Sequence, residues 1–114
     1  MSLKKDLRLK KRAQFLNVYS KGKRFNAQYL VIYFLSGKEN KLFGFTVSRK
    51  IGKAVKRNRI KRLLREIVRV NVDSFPDGVW YVFNTKKIAK NAEFKDFESD
   101  IKKFLNWLNE KNFN

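Results

Sequence analysis

The sequence predicts a two-layer α/β domain in which helices are laid against a small sheet. Three observations predict it. Val79-Trp80-Tyr81-Val82-Phe83 is an unbroken apolar run entered through the turn residues Pro76-Asp77-Gly78, the pattern of a strand covered on both faces or nearly so. Phe94, Phe97, Ile101, Phe104 and Leu108 recur at alternating steps of three and four, which puts them on one face of a helix. The elements read in order as helix, strand, strand, helix, strand, helix within 114 residues, a length that fits one domain.

Residues 1–11 are basic and aperiodic, and are expected to form a mobile arm. Arg12 to Ser20 reads as a short helix carrying Phe15, Leu16 and Tyr19, stopped at Gly22. Residues around Lys23–Asn26 suit a short first strand. Tyr29 to Leu35 is aromatic and β-branched throughout and reads as a strand. Ser36-Gly37-Lys38-Glu39-Asn40-Lys41 is polar with a glycine, so a hairpin to the next strand, Leu42 to Ser48, is expected. That strand puts Phe43, Phe45 and Val47 on one face and Leu42, Gly44, Thr46 and Ser48 on the other. From Lys53 to Val72 the apolar residues Ile60, Leu63, Leu64, Ile67 and Val68 follow helical spacing. In the last helix Leu105 and Trp107 flank the aromatic stripe, which reads as core. Asp96, Glu98 and Asp100 read as its solvated side.

The charge is lopsided. Residues 1–65 hold 20 Lys+Arg against Asp6 and Glu39, a net +18, while residues 66–114 hold eight bases and eight acids. A surface charged only for solubility would mix both signs. An excess confined to one part of the chain points to an extended polyanion, nucleic acid before an anionic membrane. With 43% hydrophobic residues the chain can build a core, so it is not a disordered basic tail. There is no cysteine and no histidine. That excludes disulfides, thiolate nucleophiles and cysteine zinc sites, and removes the usual general acid/base near neutral pH. No apolar run approaches the roughly 18 residues that span a bilayer, and the basic start lacks the apolar segment of a signal peptide. A soluble, cytoplasmic protein is expected, with no membrane partner.

The charge concentrates between Arg49 and Arg65, where nine of seventeen residues are Lys or Arg and none is acidic. On a helical wheel Ile60, Leu63, Leu64, Ile67 and Val68 share one side. Asn58, Lys61, Arg62, Arg65 and Arg69 gather nearly opposite, with Arg57 at the border and Arg59 on the far flank. One face can dock on a core while another presents guanidinium forks to phosphates.

These residues resemble a known family. Phe45-Thr46-Val47-Ser48-Arg49-Lys50-Ile51-Gly52, followed by Lys53-Ala54-Val55-Lys56-Arg57-Asn58-Arg59-Ile60-Lys61-Arg62-Leu63-Leu64-Arg65-Glu66, is similar to the signature of the bacterial ribonuclease P protein subunit. Its centre is Arg-Asn-Arg followed by Ile-Lys-Arg. The opening Arg8-Leu9-Lys10-Lys11 before Phe15 and Tyr19 also fits, and the C-terminal part fits by pattern.

The resemblance implies an α+β, two-layer sandwich of order αβββαβα with an unusual left-handed βαβ crossover, like the second domain of a small-subunit ribosomal protein. It implies a subunit that helps a catalytic RNA remove the 5′ leader of precursor transfer RNA, with magnesium held mainly by the RNA and none by the protein alone. The expected partners are therefore that catalytic RNA and precursor transfer RNA. The residues agree on one point independently: no clustered carboxylates stand beside the basic tract, so no catalytic side chains are expected. By match, Arg49, Lys50, Lys53, Arg57, Asn58, Arg59, Lys61, Arg62 and Arg65 would contact the catalytic RNA. Phe15 and Tyr19 would line a leader-binding cleft between the first helix and the sheet, where unpaired bases can stack. The family's cleft includes a strand aromatic. Alignment through Gln28-Tyr29 puts Ile32 at that position, with Tyr33 beside it on the opposite strand face, and both are candidates. A ribosomal protein, a DNA-binding module with its basic helix in a major groove, and a free-standing nuclease are the rival readings.

Overall fold

Alternation along the strands sorts their side chains into two apolar sets of unequal size, and the helices are distributed to match. The structure, a computed structural model, describes residues 3–111. Its order is α1 (Arg12–Lys21), β1 (Lys23–Asn26), β2 (Leu30–Leu35), β3 (Leu42–Thr46), α2 (Ala54–Val70), β4 (Trp80–Thr85) and α3 (Phe94–Glu110), with short 3-10 turns between some of them. This is the expected αβββαβα succession. The four-stranded sheet runs β1-β2-β4-β3. β1 pairs antiparallel with β2, β2 antiparallel with β4, and β4 parallel with β3.

The β2–β3 hairpin expected from the 36–41 loop does not form, because β4 lies between the two strands. The reason is burial. Tyr81, Val82 and Phe83 are all fully buried, and a strand apolar on both faces is best placed in the middle of a sheet. The loop then spans two strand spacings, roughly 10 Å, and is tied across the entry to β4. Lys38 N donates to Gly78 O at 3.0 Å, and Trp80 Nε1 donates to Asn40 Oδ1 at 2.9 Å. The parallel β3–β4 pair needs a long crossover, and α2 supplies it.

The larger core lies on the sheet face covered by α2 and α3. It joins Ile32, Phe34, Phe43, Tyr81 and Phe83 to Ile60, Leu64, Ile67 and Val68 of α2 and to Phe97, Ile101, Phe104 and Leu108 of α3. Ile32 is thus fully buried in this core and is not part of a cleft. It lies on the opposite face of β2 from Tyr33. The smaller core, on the other face, joins Leu9, Val18, Leu42 and Val82, with Phe15, Tyr19, Tyr33, Leu35 and Trp80 packed around them.

Two other expectations are corrected. Residues 3–11 do not form a mobile arm. Leu3 and Leu9 are buried, Arg8 bridges to Phe43 alongside β3, and Leu9 N donates to Phe43 O at 2.8 Å. The apolar residues scattered through this basic segment are what seat it; Met1 and Ser2 lie outside the described residues. Asp100 is not solvated but 1% exposed. Its carboxylate accepts from Tyr29 N at 2.7 Å and Gln28 N at 3.3 Å, so α3 holds the β1–β2 turn through a charged acceptor.

Candidate nucleic-acid interface

The basic helix is built against its own stability. No acidic residue stands in the first turn of α2, its N-cap Lys53 makes no side-chain capping bond, and Lys56 and Arg57 follow at once. Cations at a helix N-terminus oppose the macrodipole, and leaving the first N–H groups uncapped forgoes about 1 kcal/mol. Unopposed cations beside free N–H groups make a surface complementary to phosphate.

The structure distributes the predicted residues as follows. Arg49 and Lys50 are exposed in a 3-10 turn, Arg49–Ile51, that is capped by Ser48 Oγ accepting from Lys50 N at 3.1 Å and anchored by buried Ile51. Lys53 at the N-cap and Asn58, Arg59 and Arg62 on α2 are exposed, while Arg57, Lys61 and Arg65 are half-buried. Asn58, Lys61, Arg62 and Arg65 line, with Val55, one open depression of about 480 Å³. Arg59 faces a second depression shared with Lys56 and Lys90. Arg57 is partly structural, since its Nε donates to Gly52 O at 3.2 Å. Arg69, at the end of the stripe, is turned inward on the chain itself. It forms a bidentate pair with Glu66, at 2.6 and 3.0 Å.

Two contributors were invisible to sequence reasoning. Lys90 comes from the charge-neutral part of the chain, in a turn that lies beside α2, where Lys56 Nζ donates to Asn91 Oδ1 at 3.1 Å. Arg8 is carried to Arg65 by the docked N-terminal segment. Burial, and then the like charge of Arg8, lower the pKa of Arg65 from its ordinary value. The Arg65 guanidinium lies 6.0 Å from the centre of the Phe45 ring.

The second surface is the sheet face that α1 partly covers. Phe15, Tyr19 and Tyr33 are brought together there, all half-buried. Phe15 lies over Gly44 so closely that a Cβ at 44 would stand 2.5 Å from its ring. Glycine at this strand position is what allows α1 its approach. Tyr19 meets Tyr33 edge to face, with centroids 4.9 Å apart and rings at 86°. Its hydroxyl donates to Asn84 Oδ1 at 2.9 Å, and Thr46 Oγ1 donates to the same oxygen. Asn84 and Thr46 escaped sequence reasoning because they sit at the ends of strands read only for their apolar pattern. Alternation alone did place Thr46 on the Gly44 face.

Comparison with known proteins follows the same lines. The family model described as Ribonuclease P matches residues 3–109. The ribonuclease P protein component of Clostridioides difficile (strain 630) is 42% identical over 99 residues, covering 85% of this chain and 87% of that protein. That of Fusobacterium nucleatum is 41% identical over 98 residues, covering 82% and 88%. Among solved structures, a Staphylococcus aureus RNase P protein mutant with defective mRNA degradation activity superposes with a TM-score of 0.82 at 29% identity, over 92% of this chain and 90% of that one. The RNase P protein from Thermotoga maritima gives 0.77 at 32% identity, over 86% and 94%.

Proposed function

The chain belongs to the ribonuclease P protein family, and from that we propose how its two surfaces divide the work of the ribonucleoprotein. Ribonuclease P is an endoribonuclease of transfer RNA processing in which a protein of this family is a subunit beside an RNA. In our reading α2 and the turn before it, from Arg49 to Arg65, bind the catalytic RNA. The face shared by α1 and the sheet, with Phe15, Tyr19 and Tyr33, receives the unpaired 5′ leader of precursor transfer RNA. The cytoplasm is the compartment where both RNAs are met. Among the described residues no helix is long and apolar enough to cross a membrane.

The observation that carries the reading is the separation of chemistries. The basic surface offers guanidinium and ammonium groups whose charge the protein leaves unbalanced, which suits phosphates and a long RNA backbone. The cleft offers rings and a polar floor, which suits unstacked bases. Among the described residues no three acidic side chains gather. We assign the metal to the RNA and route no step through the protein. The protein's contribution is positioning: it holds the leader, and with it the substrate, beside the RNA that cleaves it.

The test mixes the protein with a candidate catalytic RNA and precursor transfer RNA at low and high magnesium. The expected result is leader removal that requires the RNA, with the protein most needed at low magnesium, where phosphate repulsion is least screened. Magnesium-dependent 5′ processing by scrupulously RNA-free protein would overturn the reading.

A further inference from the structure

The basic helix carries cations on both of its flanks, with an apolar crest between them. Val55, in the first turn of α2, is 81% exposed and lines an open depression on either side. Arg62 and Arg65 lie about 20° and 80° to one side of it around the helix, and Arg59 and Lys56 about 40° and 100° to the other. The first side is the surface shared with Asn58 and Lys61. The second faces the start of α3. There Lys90, exposed on the 3-10 turn Lys87–Asn91, joins Lys56 and Arg59 around a depression of about 580 Å³ that Leu63 and Phe94 also line. Lys56 Nζ donates to Asn91 Oδ1 at 3.1 Å, which ties this turn to the helix. The acid beside them, Glu93, stands at the N-cap of α3, so three cations face one carboxylate. Neither flank serves the fold: Val55 covers no core, and cations in the first turns oppose the helix dipole.

We propose that the N-terminal half of α2 sits across the minor groove of an A-form duplex within the catalytic RNA. Arg62 and Arg65 meet one strand, Lys56, Arg59 and Lys90 meet the other, and Val55 rests on the sugars between them. The proposal rests on the reading that α2 binds the catalytic RNA, and adds the form of RNA bound and a second set of contacts. The choice of groove is steric. A helix with its side chains is about 10–12 Å across. The major groove of A-form RNA is deep and narrow and excludes it, whereas the minor groove is wide and shallow and exposes the 2′-hydroxyls. A single strand would need cations on one flank only. Cations on two flanks match the two phosphate rims of a groove, and a small apolar crest suits the ribose carbons between the rims.

The experiment uses holoenzyme reconstituted from the full chain and the catalytic RNA, with no transfer RNA present. The sequence has no cysteine, so Lys61→Cys and Ile88→Cys each give one attachment point for an iron chelate that cleaves nearby RNA through hydroxyl radicals. Ile88 is 63% exposed in the same turn as Lys90. The two chelates should cut the two paired strands of one duplex. Cuts on one strand only, or on two segments that do not pair with each other, would overturn the proposal. No cuts from Lys61→Cys, with wild-type affinity in Arg62→Ala, would remove the α2 reading itself. Binding gives the second readout, with thermal melting to check folding. In Lys90→Ala the loss of affinity between about 50 and 200 mM salt should be smaller by roughly three- to fourfold, the effect of one phosphate contact. Val55→Glu sets a carboxylate between the two strands and should weaken binding by roughly tenfold, the repulsion of two phosphates at contact distance in water. Its melting temperature should hold or rise, because an acid suits a helix N-terminus. Val55→Gln, its neutral counterpart, should bind close to wild type. Wild-type binding in Lys90→Ala or in Val55→Glu, with Arg62→Ala still weakened, would overturn the proposal and leave α2 bound along one flank.

Discussion

Gly44→Ala tests how α1 is held to the sheet, and with it the geometry of the cleft. A Cβ at position 44 would lie 2.5 and 2.8 Å from two ring carbons of Phe15 and 3.0 Å from Leu9 Cδ1. Carbon atoms in contact prefer roughly 3.5–4.0 Å, so the ring must withdraw by about 1 Å. It has little freedom to do so, since Leu9 is buried against the same spot. The backbone effect runs the other way. Gly44 is not among the glycines with positive φ, so alanine adopts its conformation and gains roughly 0.4–1 kcal/mol from the stiffer unfolded chain. Overpacking typically costs about 1–3 kcal/mol. The clash therefore wins, with a net loss of about 1–2 kcal/mol and a fall in Tm of several degrees. Because Tyr19 rides on the same helix, its contacts with Asn84 and Tyr33 loosen together. Precursor affinity should fall while affinity for the catalytic RNA, which in our proposal engages α2, holds.

The assay is a double-mutant cycle by denaturant unfolding, with Phe15→Ala as the second change. In the Phe15→Ala background the ring is gone, and Gly44→Ala should be neutral or slightly stabilising. If Gly44→Ala costs the same in both backgrounds, or costs nothing in wild type, the ring contact does not control the approach of α1 and the reasoning fails.

Other expectations follow from single contacts. Arg59→Ala and Arg62→Ala should weaken catalytic-RNA binding and lower the salt dependence by about one counterion each, without changing Tm, as both are exposed. Arg57→Ala should in addition cost about 1 kcal/mol of stability through its lost bond to Gly52 O; calorimetry with an RNA titration across salt checks all three. Leu64→Ala, at a fully buried position, should cost about 2–5 kcal/mol in a denaturant melt. Asp100→Ala should destabilise by roughly 2–3 kcal/mol, because it strips the charged acceptor from Gln28 N and Tyr29 N; early amide exchange at those two residues would locate the effect. Tyr81 is buried with its hydroxyl donating to Pro76 O at 2.8 Å, and burial raises its pKa. The neutral phenol is favoured in the folded state, so its stability is present below the unfolded value near 10 and is lost as pH rises above it. Tyr81→Phe should blunt that alkaline loss, read by melting between neutral pH and about pH 11.

What the sequence made legible and what it hid divide along the range of the interactions. Helix α3 was readable because five apolar residues keep one period, and α2 because its apolar and basic faces are both contiguous on one helix. The basic surface was readable for the same reason: its residues are neighbours in the chain. Strand pairing was not, because β3 is joined to β2 by a short polar loop that looks like a hairpin. The apolar run of β4 already implied a strand covered on both faces, but not which two strands would flank it; the assembled sheet puts it between β2 and β3. Asp100 misled because it follows Asp96 and Glu98 on a helix whose polar side is otherwise solvated. Its partners, Tyr29 N and Gln28 N, lie 71 and 72 residues away. The cleft combines both cases. Strand alternation already set Tyr33 and Ile32 on opposite faces, and the position of α1 decides which of them is the wall. Asn84 belongs to neither pattern, being a lone polar residue at the end of an apolar strand. Its significance arises only where Tyr19 from one helix and Thr46 from another strand converge on a single oxygen. Residues that act through such convergence break the apolar pattern without starting another, so they are the ones a linear reading passes over.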